Sequence, residues 1–188
     1  RSTLFPYTTF FRSSIVKFRE ALSIGKESFY GCTSLTSADF PKATSVGDYA
    51  FNGCSSLTSV DFPEVTSIGD YAFNVCSSLT SVDFPKATSI GYRVFLGCGA
   101  LTSADFPEVT TIGQQAFFNC SSLSTLILRK NAMVTLENIN AFNNTPFASA
   151  GAGGTIYVPS NLVSTYEADA KWAALLALNA NNRIQAIT

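Results

Sequence analysis

The sequence predicts a stacked solenoid: parallel β-strands piled coil on coil with short helical turns between them, closed by a small α/β cap at the C-terminal end. Three observations lead there. A 22-residue phrase recurs without insertions, and Cys32, Cys54, Cys76, Cys98 and Cys120 fall one period apart; self-similarity at a fixed period of roughly 20–50 residues marks chains in which each unit packs only on its neighbours. Within each phrase a polar–apolar alternation, such as Ser59-Val60-Asp61-Phe62, has the period of a strand with one buried face. Finally, 46% apolar and 13% aromatic content is enough for a continuous core in a chain of 188 residues.

The chain opens on Arg1, so we expect the native beginning to be missing. The stretch RSTLFPYTTFFRS resembles a translated sequencing-adapter tail, and residues 1–13 are expected to be a non-native segment, 14–147 the solenoid and 148–188 the cap. The repeat register agrees. One period before Phe40, Val46, Gly47 and Phe51 stand Phe18, Ile24, Gly25 and Phe29, whereas one period before Leu35 and Cys32 stand Ser13 and Phe10. Four ungapped copies follow, starting at Gly31, Gly53, Val75 and Gly97; a further copy from Asn119 diverges after Leu128, with an expected five extra residues before Phe142 takes the phenylalanine slot.

Within a coil, Val60 and Phe62 point inward, Pro63 closes the strand and Gly69 supplies a turn. Asp70 to Phe73 is short enough for a single helical turn on the opposite side. Leu57, Val60, Phe62, Val65, Ile68, Ala72, Phe73 and Cys76 should line the interior and recur as columns. One coil buries too little to offset the entropy of ordering it, so only a stack is stable. After the repeats, Gly151 to Thr155 reads as a flexible loop and Ile156-Tyr157-Val158 as a strand ended by Pro159. Ser160 is the expected N-cap of a helix through about Tyr166, and Trp172 to Leu178 suggests a second helix with Trp172 in the core. These elements would cover the open last coil.

Composition argues against several functions. Twelve Lys and Arg against 13 Asp and Glu leave no basic field for nucleic acid. The longest apolar run, Trp172 to Leu178, is far shorter than the roughly 20 residues a membrane-spanning helix requires. There is no histidine, and the cysteines are dispersed in odd number, so we expect small buried packing groups in place of metal ligands or disulfides. The cluster GAGGT lacks the lysine and helix of a phosphate loop, and no base accompanies the many serines. No cofactor, catalytic group or metal site is expected.

The candidate binding residues are exposed strand-face columns: Ser37, Asp39, Ser59, Asp61, Ser81, Asp83, Ser103 and Asp105. Stacked acids about 4.8 Å apart repel by roughly 1 kcal/mol per pair even in water. They either recognise a cationic or hydroxyl-rich partner or are held by solvent and local hydrogen bonds to backbone or Thr36-type hydroxyls. Lys42, Glu64, Lys86 and Glu108 alternate in sign and should support register. Tyr49, Tyr71, Tyr92 and Arg93 are either a loop-side contact surface or cover for the phenylalanine layer.

The run CSSLTSVDFPEVTSIGDYAFNVC resembles the BspA-like leucine-rich repeat, approximately C-x-x-L-x-x-I-x-[LF]-P-x-x-[LV]-x-x-I-G-x-x-A-F, over about Phe18 to Phe142. The tail from Gly154 looks like the cap that often follows such repeats in proteins of gut-associated bacteria. The resemblance implies a leucine-rich-repeat solenoid acting as a secreted or surface-displayed, non-enzymatic binding or adhesion module, with a protein or glycan ligand on host or neighbouring cells. The alternative is a structural spacer within a larger surface or phage-tail protein.

Overall fold

The computed structural model describes residues 13–149, 151 and 153–187. The adapter-like segment, Ser13 apart, lies outside the described residues. Coil follows coil as a parallel β-solenoid. The strand β1 (Ile15–Lys17) comes first, and each later coil contributes one strand of the main face and a shorter one: β2 (Ser37–Asp39) and β3 (Ser45–Val46), β4 (Ser59–Asp61) and β5 (Ser67–Ile68), β6 (Ser81–Asp83) and β7 (Ser89–Ile90), β8 (Ser103–Phe106) and β9 (Thr111–Ile112), β10 (Thr125–Leu128) and β11 (Thr135–Leu136). Pairing is parallel, with Ser37 against Ser59 and Asp83 against Asp105, one period apart.

The interior matches the columns read from the sequence. Phe29, Phe51, Phe73, Phe95, Phe117 and Phe142 form one stack with centroids 5.0–5.6 Å apart. A second column runs alongside, where Phe62 and Phe84 lie 6.2 Å apart. All five cysteines are free and buried, as packing groups should be. They also bond: the thiols of Cys54, Cys76, Cys98 and Cys120 donate to the carbonyls of Phe29, Phe51, Phe73 and Phe95 at 3.0–3.2 Å.

On the turn side the helical turn expected at Asp70 to Phe73 is replaced by successive tight turns. Tyr71 has φ 57°, a left-handed backbone that a helix cannot contain. Asn74 N–H donates back to Tyr71 O at 3.1 Å, and the N–H groups of Tyr71, Phe73 and Val75 donate across to Tyr92, Val94 and Leu96 of the next coil at 3.0, 3.0 and 2.7 Å. Every second amide thus leaves the coil, and the turn side is laddered like a sheet. Helical geometry enters this column at Ile139–Phe142, a 3₁₀ turn in the final coil. That coil is three residues longer and not the five expected, since Phe142 stacks on Phe117 at a spacing of 25 in place of 22.

One junction on the strand side is open. Three strands (β1, β2, β4) form one sheet and β6, β8 and β10 belong to another, with no ladder between β4 and β6. Gly69 N–H reaches Val46 O at 2.8 Å and Gly113 N–H reaches Ile90 O at 2.7 Å, but no such bond joins Gly91 to Ile68. A Cβ built on Gly69 would lie 2.5 Å from the backbone of the preceding coil; on Gly91 the nearest backbone atom would be 3.7 Å away. At this seam two β-branched residues, Val60 and Val82, are neighbours, whereas the adjoining positions are Ala38 and Ala104. Bulk does not account for the gap, because the β-branched pairs Val46–Ile68 and Ile156–Ile184 are laddered. Charge alone does not decide it, because Asp39 and Asp61 pair in register. Val60, expected in the core, is accordingly only partly buried.

The cap continues the stack. After β12 (Thr155–Val158), which pairs with β10, come a 3₁₀ turn at Ser160–Leu162, helices α1 (Val163–Ala168) and α2 (Ala170–Ala177), and a strand the sequence reading lacked, β13 (Arg183–Ala186), on the far side of β12. Ser160 does not cap; the capping side chain is Asp169, which accepts from the N–H groups of Lys171 and Trp172 at 3.0 and 3.1 Å. Trp172 is fully buried and its Nε1–H donates to Val134 O at 2.9 Å, while Val134 N–H donates to the Tyr166 hydroxyl at 2.8 Å. Of the stretch expected to be a flexible loop, Gly151 and Gly154 are bonded: Asn181 Nδ2 donates to Gly151 O at 2.6 Å and Gly154 N–H to Asn182 Oδ1 at 2.8 Å.

Candidate functional site

The strand face carries the Ser and Asp columns outward because they alternate with the buried Ala38, Val82 and Ala104. Asp39 lies beside Asp61, and Asp83 beside Asp105, with Ser37, Ser59, Ser81 and Ser103 in the parallel column. The open seam splits the eight candidate residues into two blocks, so they do not form one continuous register. Lys17 occupies the acidic column one coil before Asp39. At the other end Arg129 forks onto Asp105, its Nε donating at 3.0 and 3.1 Å and its Nη2 at 2.6 Å. Those bonds and the Asp105 charge, with Asp83 adding to it, hold the guanidinium above its ordinary value.

Among the described residues the carboxylates of Asp39, Asp61 and Asp83 accept no hydrogen bond and form no ion pair. The Thr36-type hydroxyls do not serve them; Thr36, Thr58 and Thr102 donate to the carbonyls of Ser14, Thr36 and Thr80 at 2.7, 3.0 and 3.2 Å. Asp61 and Asp83 are exposed and Asp39 is half-buried, without the threonine bonds.

The Lys and Glu column forms discrete pairs. Lys42 meets Glu20 at 2.7 Å, Lys86 meets Glu64 at 2.6 Å and Lys130 meets Glu108 at 3.1 Å, whereas Lys42 with Glu64 and Lys86 with Glu108 do not pair. Arg129 and Lys130 were missed because they follow the point where the repeat diverges. Counting one period on from Pro107 and Glu108 would have found them.

The turn side holds a half-buried aromatic ridge. Tyr49 and Tyr71 stack at 4.6 Å with planes 9° apart, and Tyr92 meets Tyr71 edge-on at 5.3 Å. Arg93 lies 4.8 Å from the Tyr92 centroid, donates Nη1 to the Tyr71 hydroxyl at 3.1 Å and Nε to Gln115 Oε1. Asp48 and Asp70 border it, each using one oxygen to accept the N–H of the next coil, from Asp70 at 3.1 Å and Tyr92 at 3.0 Å. Burial, then Tyr71 and these acids, holds the Tyr49 hydroxyl above its ordinary range.

A parallel stack of near-identical coils, phenylalanine-cored and capped, with its variety confined to exposed columns, defines a leucine-rich-repeat scaffold. The chain belongs to the BspA-type leucine-rich-repeat family, whose model matches residues 3–124 and 44–165 in six copies. It is similar to a leucine-rich repeat protein of Bacteroides ovatus, 32% identical over 65% of this chain and 35% of that one, with a TM-score of 0.56. A leucine rich cell surface protein of Faecalibacterium prausnitzii is 26% identical over 77% of this chain and 40% of its own length, with a TM-score of 0.56. The chain thus spans well under half of each of these proteins. The leucine-rich repeat protein of T. pallidum, 22% identical over 94% of this chain and 88% of that one at a TM-score of 0.61, shares the fold. No curated protein sequence matches.

Proposed function

We propose that this chain is a non-enzymatic binding module of a bacterial surface-displayed or secreted protein, contacting a protein or glycan on host or neighbouring cells. The observation that carries the reading is the carboxylate row on the strand face: the half-buried Asp39 and the exposed Asp61 and Asp83 form no side-chain hydrogen bond or ion pair among the described residues. A stack tolerates unpaired like charges at a cost, and a cationic or hydroxyl-rich ligand would remove that cost. Membership of a family of bacterial surface repeats, and similarity to a protein described as a cell surface protein, support the location. The test is a binding screen of the chain against host matrix proteins and glycans. Binding that is lost in Asp61→Asn/Asp83→Asn supports the strand face, and a screen without any binding sinks the reading.

One observation favours a second reading. The strand face repeats the same Ser and Asp in successive coils, so it offers a ligand several equivalent positions and defines no single docking register. That is how a spacer would look.

A further inference from the structure

The coils are nearly identical on the strand side, and they differ on the turn side. Where the strand face reads Ser and Asp in four successive coils, from Ser37 to Asp105, the paired turn positions run Lys26-Glu27, Asp48-Tyr49, Asp70-Tyr71, Tyr92-Arg93 and Gln114-Gln115. A surface that changes from coil to coil defines one register, which a periodic face cannot do. Its composition of Tyr and Arg is also that of interface hot spots.

We propose that the specific contact of this module is the turn-side ridge of Tyr49, Tyr71, Tyr92 and Arg93, and that its partner is a protein segment presenting a basic side chain beside an acidic one. The inference rests on the binding reading above and moves the contact to a different face. Charge complementarity sets the chemistry. Lys26 and Glu27 pair with each other at 3.9 Å. Asp48 and Asp70 each keep one carboxylate oxygen unused and have no cationic partner among the described residues, so they ask for a lysine or arginine. The Arg93 Nη2 has no acceptor among the described residues, while Nε and Nη1 are held by Gln115 and Tyr71; it asks for a carboxylate. The rings are packed on one another and the guanidinium is fixed, so little side-chain entropy remains to be lost on binding. The Tyr49–Tyr71 stack covers one face of each ring and the Arg93 guanidinium lies over Tyr92, which leaves less aromatic face for stacking a sugar and favours protein over glycan.

The test is selection of a phage-displayed random peptide library on the full chain, followed by fluorescence polarisation of the enriched peptides. Arg93→Gln places in the column the residue that Gln115 already carries at the same backbone angle, φ 55° against 56°, and Asp70→Asn keeps an acceptor for the Tyr92 N–H. Expected is enrichment of peptides combining Lys or Arg with Asp or Glu, whose affinity falls at least about tenfold in either variant and is unchanged in Lys86→Gln of the ionic column. Circular dichroism confirms that the variants fold. Peptides that keep their affinity in both ridge variants, or a library with no enrichment, overturn the inference. Peptides lost only in Asp61→Asn/Asp83→Asn overturn it too, but leave the binding function standing.

Discussion

Val75 occupies a slot held by Gly31, Gly53 and Gly97 in the neighbouring coils, and it adopts the same left-handed backbone, φ 59° against 68°–75°. A β-branched residue is strained there, by roughly 1–3 kcal/mol, and glycine returns about 0.5–1 of that in chain entropy. Val75→Gly is therefore expected to stabilise the protein by about 1 kcal/mol in urea denaturation, and a destabilised variant would contradict this account. At the centre of the phenylalanine stack, Phe73→Ala should cost about 3–5 kcal/mol; an unchanged melt would refute the column. The thiols supply a pH dependence. Burial pushes Cys54 up to about 12 from 9.0, and Cys76 and Cys98 are raised for the same reason. The folded state thus holds these protons more tightly than the unfolded one. Their contribution is complete below about pH 9 and is lost as pH rises through the folded value. Stability should fall from pH 9 upward, and at pH 8 the thiols should react with a disulfide reagent only after denaturation. Fast labelling of the native protein would disprove the burial.

At the scale of elements, the ionic column makes a prediction about two equal spacings. A double-mutant cycle on Glu64 and Lys86 should give a coupling of a few tenths of a kcal/mol, and the cycle on Lys42 and Glu64 none; equal couplings would contradict the pairing. For the cap, Tyr166→Phe removes the acceptor of the buried Val134 N–H and should cost about 1–3 kcal/mol. The coil was legible because its inward residues, among them Leu57, Phe62, Val65, Ile68 and Phe73, follow a strict period. The turn beyond it was not. Tyr71 carries no sign of a left-handed backbone, since tyrosine is not a residue one assigns there, and only the inter-coil ladder holds it. The strand β13 was hidden for a related reason: Arg183–Ala186 is mostly exposed at the end of the sheet, so it lacks the apolar alternation of a half-buried strand. The Ser and Asp columns alternate with buried residues, but nothing in Asp105 announces Arg129, which comes from the coil where the repeat breaks down.

For the molecule as a whole, stability is a sum of coil energies and junction energies, and the junction between β4 and β6 is the weak one on the strand side. Hydrogen exchange should show the amides of Thr80 and Gly91 poorly protected beside those of Thr102 and Gly113, which are bonded to the preceding coil at 3.0 and 2.7 Å. Uniform protection across all four would dispose of the seam. The Glu and Lys pairs speak to a different property, the way such a chain can change its length. Because Glu20, Lys42, Glu64, Lys86, Glu108 and Lys130 alternate and join two by two, deleting a single coil would set lysine against lysine or glutamate against glutamate, whereas deleting two restores every partner. Removing 44 residues should therefore disturb the ionic column less than removing 22, a comparison that denaturant melts of the two deletions would check.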